Sequence, residues 1–268
     1  RDTSVTGVQT CALPIFSVGS NKNYKSHIGP VPGKVKFCEF NNSKHLKKLI
    51  NKKTVAIIIE FVQGDGGINI CTKEFAKTIK EICKKRKILL IADEIQGGIG
   101  RTGKIFAFKH YGVSPDIITS AKGLGSGIPI GATIVKKEIS KNINIGFHGS
   151  TFGGGMLQTR VAYNVFKTIN KTSFLNNVRS KGILLEQLLN KLHSKHDVIK
   201  EVRIKGLMAG IEFKNSELAL KIYKETSNQG LITTLVKRTT IRITPPLIIK
   251  TEEIKRGVKI ISDCLNKI

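Results

Sequence analysis

A chain of 268 residues with 40% hydrophobic side chains can build one large core or two modest ones. No stretch reaches the roughly 20 apolar residues that cross a bilayer, and no basic, apolar and small-residue succession reads as an export signal, so no membrane role is expected. The net charge of +26 raises nucleic acid as a partner, but the lysines lie spread along polar helix faces and no aromatic residues interleave with them to stack bases. Five scattered cysteines (Cys11, Cys38, Cys71, Cys83, Cys264) have no metal-ligand spacing, which argues for a reducing, cytoplasmic setting and no bound metal.

Residues 1–15 contain no lysine, although lysine is dense afterwards. Val5–Ile15 resembles a translated sequencing adapter, so this stretch is expected to be an artefact outside the fold. Residues 43–51 have helical spacing, and Val55–Glu60 (VAIIIE) is a short apolar run ending in a carboxylate. Lys73–Arg86 repeats Phe75, Ile79, Ile82 and Cys83 at helical intervals, and Ile88–Ala92 is a second apolar run stopped by Asp93. Ile117–Thr119 and Ala132–Val135 are further strand candidates. Short apolar strands separated by amphipathic helices indicate an α/β domain with a parallel sheet covered on both faces, whose ligands bind beyond the carboxyl ends of the strands. Glu60, Asp93 and the segment after Ser120 fall at such ends.

Glycine clusters at 64–67, 97–103, 123–131 and 153–155 punctuate this region. Met156–Asn170 and Ser173–His193 then read as long helices. Val198–Ile204, Leu207–Phe213, a helix around Glu217–Ser227, strands near Leu231–Leu235 and Ile241–Ile243, and a last helix Glu252–Asn266 complete an α+β unit. The expected organisation is a large domain over 16–172 and a small one over 173–268.

Taken singly, these residues say little. An aspartate ending a strand is commonly a helix cap, and a lysine is commonly a solvated charge. No glycine loop fits GxxxxGK[ST], and the 123–131 loop does not give GxGxxG, since Ile130 falls where a last glycine belongs. His148 has no acid or nucleophile at triad spacing, which counts against a hydrolase. Pyridoxal phosphate, by contrast, needs a lysine for a Schiff base, a carboxylate for its pyridine nitrogen, and hydroxyls and amides for its phosphate.

The ordered segments IIIEFVQGDGG (57–67), LLIADEIQGGIGRTG (89–103), PDIITSAKGLGSGIPIGA (115–132), HGSTFGG (148–154) and IRITPPL (241–247) resemble the class-III aminotransferases, most closely their acetylornithine branch. The resemblance runs from about Phe16 to the C-terminus. It implies the pyridoxal-phosphate fold type I of aspartate aminotransferase. The implied reaction, in arginine or lysine biosynthesis, moves the ω-amino group of N-acetylornithine to 2-oxoglutarate, giving glutamate. Ornithine and succinyl-diaminopimelate are the neighbouring substrate choices, and QGDGG leans towards the acetylated substrate, N-acetylornithine. The alternative from another class is a basic nucleic-acid-binding protein without this chemistry.

The resemblance also assigns roles. Lys122 would hold the cofactor and act as base, Asp93 would pair with the pyridine nitrogen, Ile95 would pack on the ring, and Gln96 would bond its 3-hydroxyl. Thr151, with Ser150, would reach the phosphate of a neighbouring subunit's cofactor, implying a homodimer. Arg242 would clamp the substrate α-carboxylate. Asp65 stands where the family has a glutamate that pairs with this arginine, one methylene shorter in reach. Other departures are Phe61 for proline, Gly97 for threonine, Gly155-Met156 for Asn-Pro and Ile204 for glycine. The resemblance leaves the phosphate-binding turn, a ring-stacking aromatic and a distal-carboxylate arginine without counterparts. The chain is therefore expected to be an inactive piece lacking about a third of the enzyme.

Overall fold

The computed structural model describes residues 35–144, 146 and 149–267. Residues 1–15, Phe16, Cys11 and His148 lie outside them. In chain order the elements are α1 (Ser43–Leu49), β1 (Ala56–Ile59), α2 (Lys73–Arg86), β2 (Leu89–Asp93), β3 (Ile117–Ser120), β4 (Ala132–Val135), α3 (Lys137–Ser140), α4 (Met156–Ile169) and α5 (Thr172–His193). There follow β5 (Ile199–Lys205), β6 (Met208–Phe213), α6 (Ser216–Asn228), β7 (Thr234–Val236), β8 (Thr240–Ile243) and α7 (Thr251–Leu265).

The first sheet has the order β1-β2-β3-β4, with the first three strands parallel and β4 antiparallel at the edge. Register sets Ile59, Ala92 and Ile118 side by side on the face that enters the first core. α2 packs on this sheet through Phe75, Ala76, Ile79 and Cys83. Local chemistry fixes its ends: the Thr72 hydroxyl accepts from the Phe75 N–H, Glu74 sits in the first turn, and Lys84, Lys85 and Arg86 sit in the last. Each fully buried large side chain on that face contributes about 1.5–3 kcal/mol. Cover on both faces was expected. Among the described residues the opposite face keeps Ile58 47% and Leu89 36% exposed.

The second sheet, order β5-β6-β8-β7, is wholly antiparallel. α5, α6 and α7 pack around it, and Val178, Leu185, Ile211, Phe213, Ile222, Ile241 and Ile261 form a second core. Phe174 and Leu247 pack against both cores.

Arginines stitch the two halves. The Arg101 guanidinium donates to the Leu207 carbonyl at 3.1 Å and to that of Pro245, and Arg179 donates to the Gly103 carbonyl at 2.7 Å. Burial lowers the pKa of Arg101 to about 10, which still leaves it charged at neutral pH.

Candidate active site

The site forms where the carboxyl ends of β1, β2 and β3 face β8. β3 ends at Ser120, and Lys122 opens a tight 3₁₀ turn in which the Leu124 N–H donates to the Ala121 carbonyl at 3.0 Å. Lys122 takes φ +45°, a left-handed conformation that costs a non-glycine residue about 1–3 kcal/mol. Ile68 (φ +59°) and Ile99 (φ +49°) share it, although both are β-branched and buried. Such strain concentrates where surrounding structure holds a residue in a working position.

Asp93 ends β2. Its Oδ1 accepts from the Ile95 N–H at 3.1 Å and the Thr119 hydroxyl at 3.3 Å, which aims the carboxylate along the strand end. The next residue, Glu94, is fully buried and accepts from the Ala107 and Phe108 N–H groups at 2.7 and 2.8 Å. Burial outweighs those bonds and pushes its carboxyl up to about 7. Glu60 continues β1 beside Asp93 and accepts from the Gly64 N–H at 3.1 Å. Burial raises it to about 7 as well; the Gly64 bond lowers it, Asp93 and Asp65 add to the rise, and Lys122 offsets part of it.

A cavity of about 650 Å³ gathers Ile95, Gln96, Ile99 and Lys122 from the first half with Met208, Arg242 and Thr244 from the second. Asn164 and Thr168 of α4 and Phe174 of α5 also line it. Four of the residues singled out from sequence, Ile95, Gln96, Lys122 and Arg242, therefore share one cavity. Asp93 and Asp65 lie outside its lining but touch it through Ile95 and Arg242. Ser150 and Thr151 are exposed and do not line it.

Arg242 Nη1 donates to Asp65 Oδ1 at 2.6 Å and to Gln96 Oε1 at 3.0 Å, while its buried Nε has no partner among the described residues. Aspartate thus reaches the arginine despite its missing methylene. Gly64 permits the close approach of Gln96, because a Cβ there would lie 2.2 Å from Gln96 Oε1. Two departures from the family pattern are absorbed by packing: Phe61 is buried and stacks on Tyr111 at 5.2 Å, and Gly97 lies against Ala107. Sequence reading did not single out Arg203, Asn164 or Thr168, nor did it give Glu60 a role. Arginine scarcity (nine against 36 lysines) was the available signal for Arg203.

This cavity suits one end of pyridoxal phosphate. It offers a primary amine on a strained turn, a carboxylate at a strand end behind it, and a guanidinium whose Nε is unpartnered. A parallel-strand sheet ending in such a site, joined to a smaller antiparallel unit, defines a fold-type I transferase. The aminotransferase class-III family model matches residues 12–265, and the chain belongs to the class-III aminotransferases, which depend on pyridoxal phosphate. It is 41% identical over 254 residues to acetylornithine aminotransferase of Caldanaerobacter subterraneus, covering 95% of this chain and 64% of that protein. It is 38% identical to succinylornithine transaminase of Yersinia pseudotuberculosis, covering 90% and 59%. Ornithine aminotransferase of Toxoplasma gondii superposes with TM-score 0.89 at 26% identity, over 95% of this chain and 62% of that one. The chain spans less than two thirds of the length of these relatives. Membership of this family displaces the nucleic-acid-binding alternative, and among the described residues no helix is long and apolar enough to cross a membrane.

Proposed function

We propose that the protein containing this chain moves the ω-amino group of an acylated ornithine, N-acetylornithine above all, to 2-oxoglutarate, with Lys122 as the residue that carries the cofactor. The observation that supports this most is Lys122 itself: a lysine in a left-handed turn, lining one cavity with Gln96 and Arg242. Family relatives named for acetylornithine and succinylornithine favour an acylated substrate.

Bound pyridoxal phosphate supplies a ring that takes up the electron pair left when the amine-bearing carbon loses its proton. Lys122 would hold the cofactor through its amine and would serve as the base that moves the proton. Asp93 sets a negative charge against the ring nitrogen and keeps it protonated, a task for which its two hydrogen bonds orient it. Ile95 would pack on the ring, and Gln96 would hydrogen-bond its 3-hydroxyl; both line the cavity. Arg242 grips the α-carboxylate of glutamate or 2-oxoglutarate, and Asp65 occupies it when an ω-amine enters instead.

We place residues 16–172 in the cofactor-binding part and 173–268 in a smaller closing part. Ser150 and Thr151 serve a second copy's cofactor phosphate, in a homodimer. Supporting this, Phe152, Met156, Leu157 and Tyr163 beside them are exposed apolar residues on and before α4. Cys38, Cys71, Cys83 and Cys264 are free thiols, in keeping with the cytoplasm.

The test is a substrate series. In the protein completed to the length of its relatives, N-acetylornithine and succinylornithine with 2-oxoglutarate should yield glutamate faster than ornithine does. Glutamate formation from none of them would reject the proposal.

A further inference from the structure

The second sheet holds two arginines on one rung. Register pairs Arg203 of β5 with Gly210 of β6, and Gly210 with Arg242 of β8. Paired residues in neighbouring strands face the same side, so both guanidiniums stand on one face, two strands apart or about 10 Å. The loop 64–68 from the other half lies across that face. Ile68 fills the gap between the arginines, where a Cβ on Gly210 would sit 3.0 Å from its side chain. A side chain at 210 would require Ile68 or Thr240 to give by a few tenths of an ångström.

Each arginine takes hold of the loop. Arg203 Nε donates to the Gly67 carbonyl at 2.9 Å, and Arg242 Nη1 donates to Asp65 at 2.6 Å. Arg203 is itself fixed on its own sheet: Nη1 donates to Glu212 at 2.6 Å and to Glu201, and Nη2 lies 3.5 Å from the Thr240 hydroxyl. Its side chain is 11% exposed, against 75% for Asp65. The carboxylate facing Arg242 is thus on a solvated loop, while the anchor of that loop is a largely enclosed, multiply bonded guanidinium. Ile68 in left-handed geometry adds strain that some such anchor must hold.

We propose that Arg203 is a positioning residue that sets substrate preference: it clamps Gly67 and thereby keeps Asp65 opposite Arg242. The inference rests on the reading of Arg242 as the α-carboxylate clamp. With the loop anchored, Arg242 is occupied and an ω-amino substrate is admitted. With the loop loosened, Arg242 is freed for the α-carboxylate of the oxo-acid partner. An ion pair with so exposed a carboxylate is worth up to about 1 kcal/mol, which limits the change to about fivefold.

The experiment compares wild type, Arg203→Met and Arg203→Lys in the holoenzyme completed to family length. Arg203→Met should lower KM for 2-oxoglutarate up to about fivefold while raising KM for N-acetylornithine. Arg203→Lys, keeping one donor, should restore part of both. Hydrogen exchange at the Gln63 and Gly64 amides should quicken in Arg203→Met with the β5–β6 ladder unchanged. If Arg203→Met does not fold, Glu212→Gln should shift both KM values the same way by less. Parallel changes in both KM values, or unchanged loop exchange, would overturn the proposal. Arg242→Lys separates the two claims. An unchanged KM for 2-oxoglutarate in that variant would sink the clamp reading and with it the preference role. Loop exchange would still report whether Arg203 anchors Gly67.

Discussion

Arg242 and Asp65, 177 positions apart in the chain, form an ion pair at 2.6 Å across the cavity mouth. The pair exists because the 64–67 loop reaches over the second sheet, which offsets the short aspartate side chain. Asp65→Asn removes the charge but not the shape. It should lower KM for 2-oxoglutarate by about fivefold at most, since Asp65 is solvated. Steady-state kinetics with each substrate varied in turn check this. A raised KM would show that Asp65 recruits the oxo acid itself.

Asp93→Asn should cut turnover at least about a hundredfold, because a neutral amide no longer keeps the ring nitrogen protonated at this half-buried strand end. The amide oxygen can still accept from the Ile95 N–H, so the turn should survive. Circular dichroism and kcat measured together decide the matter. Near-normal turnover would reduce Asp93 to a strand-end cap.

Gly64→Ala places a methyl group where Gln96 Oε1 now lies, 2.2 Å from the ideal Cβ position. Gln96 must swing away, losing its bond from Arg242. Weaker cofactor retention, read as a higher dissociation constant for pyridoxal phosphate, is expected, with the fold intact by thermal melting.

Glu60 should make stability depend on pH. Its folded carboxyl titrates near 7, above the usual 4.5, so the folded state holds a proton that the unfolded chain has released. Its contribution is therefore largest below pH 4.5 and is lost as pH rises towards 7. Glu94 acts in the same direction. His110, lowered to about 4 chiefly by burial, acts oppositely: its contribution is lost as pH falls from 6.5 to 4. Glu60→Gln should remove one carboxyl's share and gain stability relative to wild type as pH rises from 4.5 to 7. Urea titrations across that window measure the difference. A constant difference would mean Glu60 is ionised throughout.

Much of this was legible because the signals are local. Lys73–Arg86 carries its own cap, apolar stripe and terminal charges, and the structure gives that helix with those bounds. The strand-end carboxylates were readable as the ends of apolar runs, whereas Lys122 was readable only through the resemblance of its segment to the class-III aminotransferases. The antiparallel direction of β4 was not, since an apolar run of four reads the same either way. The four-residue helix α3 is too short to show a period. Arg203 escaped notice because its carbonyl partner lies 136 positions away, a pairing that only the folded sheet creates. Yet in a chain so rich in lysine, four of its nine arginines bridge the two halves. Each uses the fixed fork of donors that lysine lacks.

The most direct test of the central claim is the site of cofactor attachment. The protein completed to family length is loaded with pyridoxal phosphate, reduced with borohydride, digested and mapped by mass spectrometry. With 36 lysines available, selectivity is informative. A single pyridoxyl group on Lys122, absent in Lys122→Ala together with turnover, is the expected result. A stoichiometric adduct on another lysine, or full turnover in Lys122→Ala, would contradict the account.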